Sequence, residues 1–220
     1  MIAIYDLMFT FTNGGFRLAV PYLEIAAGEH VAVAGPSGTG KSTLLNLIAG
    51  ILVPERGTVT VDFRNIAALP DAARRAFRLQ SIGFVFQNFA LIDYLTVEDN
   101  ILTPARIHPV LPLTLALRAR ARDLAAAVGM ADKLARYPAR LSQGEQQRVA
   151  IARALLMRPR IILADEATGN LDPANKGLIL DLLFTQARDM GATVVAVTHD
   201  HDLLPRFDRT IDFRSLQGAA

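Results

Sequence analysis

Gly35-Pro-Ser-Gly-Thr-Gly-Lys41-Ser42-Thr43 follows the apolar run Val31 to Ala34 and leads into a helix-forming stretch, Ser42 to Ala49. The spacing satisfies G-x-x-x-x-G-K-[ST], and a strand before and a helix after are what phosphate binding requires of that pattern. Glycines at 35, 38 and 40 let successive backbone N–H groups converge on phosphate oxygens, and the helix adds its positive N-terminal end. Pro36, Ser37 and Thr39 fill the loop and Thr43 closes it. Lys41 offers a point charge for the outer phosphates, and the Ser42 hydroxyl is the expected Mg²⁺ ligand. The bland alternative is a glycine-rich turn joining a strand to a helix. At an average glycine usage of about 7%, a chance match in a chain of this length has odds of roughly one in a hundred.

Outward from this loop, short apolar runs recur at Ile82 to Phe86, Ile161 to Ala164 and Thr193 to Val197. Runs that are continuous rather than alternating read as strands buried on both faces, as in a parallel sheet covered by helices. Upstream, Ala3 to Leu7 and Phe16 to Ile25 flank Asn13-Gly14-Gly15 and read as a hairpin, so a small antiparallel lobe is expected before the α/β core. Between Asn88 and Arg158 the strand signal gives way to Ala, Leu and Arg, which predicts an inserted helical subdomain at about 88–158 within one domain spanning 1–220. The last residues, Gln217 to Ala220, read as a frayed tail.

Composition narrows the function. The chain has 220 residues, 51% of them hydrophobic, enough for a sizeable core. With 23 Lys plus Arg against 21 Asp plus Glu, the net charge of +2 gives no broad field of the kind nucleic-acid binders display. The absence of cysteine removes disulfides and thiolate metal sites, and suits the cytosol. Met1-Ile-Ala-Ile-Tyr-Asp lacks a basic region followed by a long apolar stretch, so no secretory signal is expected, and Pro112 breaks the apolar stretch Pro109 to Leu117 well short of the ~20 residues a membrane helix needs. Action at a membrane would require another protein as anchor.

Acidic and polar residues gather at the ends of the apolar runs. Ile161-Ile-Leu-Ala-Asp165-Glu166 puts two acids at the carboxyl edge of a strand, where open α/β sheets bind ligands. Asp165 is expected to hold Mg²⁺ through its water shell, and Glu166 to polarise the water that attacks a γ-phosphate. Taken alone, two acids after a strand are more often a solvated loop start. His199 stands at another strand's edge, within reach of a γ-phosphate, and Gln87 after Phe84-Val-Phe offers an amide oxygen to metal or water.

Leu141-Ser-Gln-Gly-Glu145-Gln-Gln-Arg148 opens a helix that runs to about Met157. Ser142 and Glu145 form a capping box, which explains them without any nucleotide. Gly144 in the first turn costs about 1 kcal/mol relative to alanine, and the close approach of another molecule's phosphate is one reason to keep it. With this segment the sequence closely resembles the ATPase subunits of ATP-binding cassette transporters, from about Ile4 to Phe213. Gly35 to Ser42 looks like the Walker A loop and Gln87 the Q-loop residue. Leu141 to Glu145 looks like the signature, Ile161 to Asp165 the Walker B strand and Glu166 the catalytic glutamate. Leu171-Asp172 looks like the D-loop and His199 the switch histidine.

The resemblance implies a P-loop NTPase (RecA-like) core, ATP and Mg²⁺ as ligands, and a metal set of Ser42, Gln87 and Asp165. It implies a head-to-tail dimer in which Ser142, Gln143, Gly144 and Glu145 act in trans on the partner's ATP. It also implies an aromatic residue stacked on adenine, Phe11 or else Phe9, and integral membrane permease subunits that hold the chain on the cytoplasmic face of the inner membrane. Ile82-Gly-Phe-Val-Phe-Gln-Asn and Ala164-Asp-Glu-Ala-Thr-Gly-Asn-Leu-Asp172 look like the branch of lipoprotein-releasing, macrolide-exporting and cell-division ATPases. Gln143 in place of the usual signature glycine, and Ala167 in place of the usual proline, depart from the family pattern.

For a membrane partner the sequence offers an apolar cluster, Phe89, Leu91, Ile92, Tyr94 and Leu95, which equally suits packing of the helical subdomain. Arg118 and Arg122 suit a solvated helix face better than lipid headgroups. An ATP-gated interaction module of the cell envelope is the competing reading. A cassette of translation or DNA repair is disfavoured, because those usually carry two cassettes or a long coiled coil.

Overall fold

The computed structural model describes residues 1–11, 15–107 and 112–217. Asn13-Gly14 of the expected turn, residues 109–111 of the apolar stretch and residues 218–220 of the tail lie outside them. The chain opens with β1 (Ile2–Thr10) and β2 (Arg17–Ile25), an antiparallel pair with Ile2 opposite Ile25 and Thr10 opposite Arg17. Then come β3 (His30–Ala34), α1 (Lys41–Ile48), β4 (Arg56–Val61), β5 (Arg64–Asn65), α2 (Asp71–Ser81) and β6 (Ile82–Val85). Helices α3 (Val97–Arg106), α4 (Leu115–Ala127) and α5 (Gln143–Leu155) follow without an intervening described strand. The chain continues through β7 (Ile161–Asp165), α6 (Pro173–Asp189), β8 (Thr193–Thr198), β9 (Arg209–Asp212) and the short α7 (Phe213–Leu216).

Two sheets result. One is antiparallel, in the order β2-β1-β4-β5, and the other is parallel, in the order β6-β7-β8-β3-β9. The continuous apolar runs explain the second. Along a strand successive side chains point to opposite faces, so Ile161 and Leu163 of β7, with Val195 and Val197 of β8, enter a core shared with α1 and the antiparallel lobe. Their neighbours Ile162, Ala164, Val194 and Ala196 enter a second core, shared with α3, α4, α5 and α6. A sheet buried on both faces calls for near-continuous apolar runs.

Strands β4 and β9 were not visible as apolar runs. In β4 only Val59 and Val61 are buried, while Thr58 and Thr60 are part-exposed, and β9 is an edge strand with a largely exposed Arg-Thr-Ile-Asp sequence. Each is recruited by a neighbour: β4 by β1, and β9 by β3, where Val33 pairs with Ile211.

Candidate functional site

The sheet order brings four strand ends to one edge. β3 leads into the glycine loop and α1, β6 into Gln87, β7 into Asp165 and Glu166, and β8 into His199. Because β7 lies between β6 and β8, and β8 beside β3, residues up to 164 positions apart in sequence become neighbours. Phe11, Phe16, Ser37, Gly38, Gly40, Lys41, Ser42, Thr43, Gln87 and Glu166 line one cavity of about 480 Å³.

The loop geometry suits an anion. Gly38 and Gly40 have φ of 78° and 106°, in the left-handed region open to glycine. Gly40 is the N-cap of α1, with no side-chain cap on the first amides of the helix, so those donors are left to a ligand. Lys41 is buried, its ammonium donating to the carbonyl oxygens of Gly35 and Pro36 at 2.9 and 2.6 Å. Thr39 closes the loop by donating its hydroxyl to Pro36, and Gln217 in turn donates to the Thr39 carbonyl.

Ser42 Oγ donates to Asp165 Oδ1 at 3.0 Å. Burial pushes the Asp165 carboxyl up; the Ser42 hydrogen bond pulls it down, the Glu166 carboxylate adds to the rise and the Lys41 charge opposes it. Glu166 holds a left-handed φ of 45°, unusual for a non-glycine residue. Its amide donates to Val197, and its carboxylate lies 3.0 Å from His199 Nδ1. A hydroxyl, a carboxylate and the Gln87 amide are hard oxygen donors suited to Mg²⁺, which typically takes one or two carboxylates and completes its shell with water and phosphate.

The signature residues stand elsewhere. Ser142, Gln143, Gly144 and Glu145 line a different cavity with Arg148, Asn170, Leu171, Asp172 and Asn175, and it shares no residue with the first. The capping box is present: the Glu145 amide donates to Ser142 Oγ, and the Ser142 amide to the Glu145 carboxylate. The Lys133 ammonium at 2.7 Å, together with that amide, holds the Glu145 carboxyl below the usual carboxylate range. A Cβ added at Gly144 would meet nothing within 4 Å, so no packing within the chain demands glycine there.

Several supporting residues escaped the sequence reading. Asn170 donates to the Gln87 carbonyl at 2.8 Å. Arg153 of α5, its guanidinium lowered to about 10 by burial, donates to the carbonyls of Phe89 and Ala90, both at left-handed φ. Phe16 lines the phosphate-loop cavity beside Phe11. Neither Arg153 nor Phe16 belongs to a spacing pattern, and only the fold brings them in. Of the two aromatics weighed for adenine, Phe9 is buried in the core and packs edge-on against Phe11 at 4.9 Å, whereas Phe11 is 42% exposed at the cavity. In the apolar cluster after Gln87, Phe89 is buried, Leu91 packs on the core and Tyr94 is 81% exposed. Arg122 pairs with Glu98 at 2.9 Å.

Residues 20–169 match the model of the family described as ABC transporter. The methionine import ATP-binding protein MetN of Thermobifida fusca is 47% identical over 184 residues, which is 84% of this chain but only 56% of that relative. The lipoprotein-releasing system ATP-binding protein LolD of Gluconobacter oxydans is 44% identical over 191 residues, 87% of this chain and 82% of that one. The ATP-binding cassette MJ0796, solved as a post-hydrolysis dimer bound to ADP and Pi, superposes with a TM-score of 0.86 at 36% identity, covering 96% of this chain and 94% of that one. With the phosphate loop, the strand-end acids and the capped glycine helix all in place, the chain belongs to the ABC transporter family, as an ATPase cassette.

Proposed function

We propose that the chain binds Mg·ATP at the Lys41 cavity, hydrolyses it between two copies of itself, and so drives integral membrane permease subunits from their cytoplasmic face. The observation that carries this reading is the division of the machinery into two cavities. One cavity has the loop amides, Lys41, Ser42, Gln87 and Glu166; the other has Ser142, Gly144 and Asp172. A second copy, set head to tail, would bring the second group onto the phosphates held by the first. That the similar cassette MJ0796 is dimeric, and bound to ADP and Pi in one of its structures, supports the pairing of two copies.

In this reading the amides of residues 38–43 and the Lys41 ammonium bind the β- and γ-phosphates. Ser42, Asp165 and Gln87 would hold Mg²⁺, which neutralises phosphate charge when bound. Glu166 orients the attacking water and accepts its proton. His199, 3.0 Å from the Glu166 carboxylate, fixes that carboxylate, and from the adjoining cavity that it lines with Gly35 and Pro36 it would reach the γ-phosphate. Phe11 takes the adenine. The relatives named for methionine import and lipoprotein release differ in cargo, and the motif pattern favours the lipoprotein-releasing, exporting and cell-division branch. Tyr94 and its neighbours are the surface for the permease.

Among the described residues no helix is long and apolar enough to cross a membrane, in keeping with attachment through a partner. Glu166→Gln should bind ATP, lose turnover by roughly 10²–10⁴-fold and accumulate as an ATP-dependent dimer. Phosphate release and light scattering on the variant read these outcomes, and near-normal hydrolysis would remove Glu166 from its role.

A further inference from the structure

The phosphate-loop cavity has an apolar end that no motif describes. Phe16, just before β2, directs the tip of its ring at Gly40: a Cβ built on Gly40 would lie 2.3 Å from Phe16 Cζ and 3.2 and 3.3 Å from its two Cε atoms. Gly40 therefore has two reasons to be glycine, its φ of 106° and this contact. Beyond Phe16 stands Phe11, ring centroids 6.0 Å apart and planes at 47°, with the Phe11 amide donating to the Phe16 carbonyl at 3.3 Å. Phe9 braces Phe11 from the core side. Moving out from the loop, the cavity wall is thus Gly40, then Phe16, then Phe11.

A nucleoside triphosphate held by its phosphates presents its parts in the same order, phosphate, ribose, base. A base sandwiched between two rings needs about 7 Å between them, two contact distances of ~3.5 Å; at 6.0 Å these two rings do not admit one. We infer that Phe16 is the ribose-contacting residue, forming with Phe11 one continuous apolar wall on which the sugar rests against Phe16 and the base against Phe11. This deepens, and rests on, the reading of the cavity as an ATP site. The contact selects a nucleoside triphosphate over bare polyphosphate, because an apolar ring beside the loop rewards only a ligand that covers it.

Equilibrium titration of the full chain with Mg·ATP and with inorganic tripolyphosphate tests the assignment, in the wild type, Phe16→Ala and Phe16→Leu. Phe16→Ala should weaken ATP roughly tenfold, the scale of losing the apolar ring surface that the sugar covers, and leave tripolyphosphate unchanged. Phe16→Leu, which keeps apolar cover, should lose less. Equal weakening of both ligands would overturn the assignment, showing a ring that merely props the loop, and so would unaltered ATP affinity. Wild-type protein that binds neither ligand would bring down the ATP-site reading itself.

Discussion

Lys41 illustrates how one side chain depends on its surroundings. Its ammonium is buried yet satisfied by two carbonyls of its own loop, a placement that holds a charge beside the cavity at little desolvation cost. Removing it takes away a charge-assisted hydrogen bond of about 1.5–3 kcal/mol. Lys41→Ala should therefore weaken Mg·ATP by roughly 10- to 100-fold in a calorimetric titration, and an unchanged isotherm would refute its phosphate role. The loop residues, both acids, His199 and Gln87 could be singled out in sequence because each stands at a fixed offset from an apolar run. Phe16 and Arg153 could not. Which ring faces Gly40 follows from the packing at the start of β2, and which carbonyls Arg153 reaches follows from how α5 lies against the turn after Gln87.

At the scale of elements, β6 and α5 are in direct contact. A Cβ at Gly83 would come within 2.5 Å of the Ala154 carbonyl oxygen and 3.0 Å of Pro159 Cγ. The strand that leads to Gln87 is thereby seated against the helix that the signature opens, and Arg153 ties the same helix to the turn after Gln87. Gly83→Ala should cost about 1–3 kcal/mol through overpacking against backbone, read as a lowered urea midpoint; an unshifted midpoint would mean the two elements separate easily. The strands β3, β6, β7 and β8 announced themselves as continuous apolar runs, since burial on both faces leaves polar residues only near the strand ends, as at His30, Thr193 and Thr198. β4 and β9 did not, because a strand with one wet face or a free edge keeps polar residues that resemble a loop.

For the molecule as a whole, the consequence of two separate cavities is that a single chain is half a catalytic unit in the proposed mechanism. Gly144→Asp tests this. The added side chain meets open space, and a negative charge in the first turn of α5 agrees with the helix dipole, so folding and ATP affinity of the monomer should be kept. Placed in the Glu166→Gln background, the same charge should repel a facing triphosphate and abolish the ATP-dependent dimer seen by light scattering. A dimer of undiminished strength would place the signature away from the partner's nucleotide.

The sequence by itself determined the α/β core, the phosphate loop, the capped glycine helix and the acids at a strand end, because each is a local pattern whose chemistry lies within a few consecutive residues. Only the tertiary structure decided that Phe11 rather than Phe9 lines the cavity, that Phe16 joins it, and that the loop and the signature face different cavities. Those outcomes depend on strand order and on which way side chains point across long separations, and no local pattern encodes them.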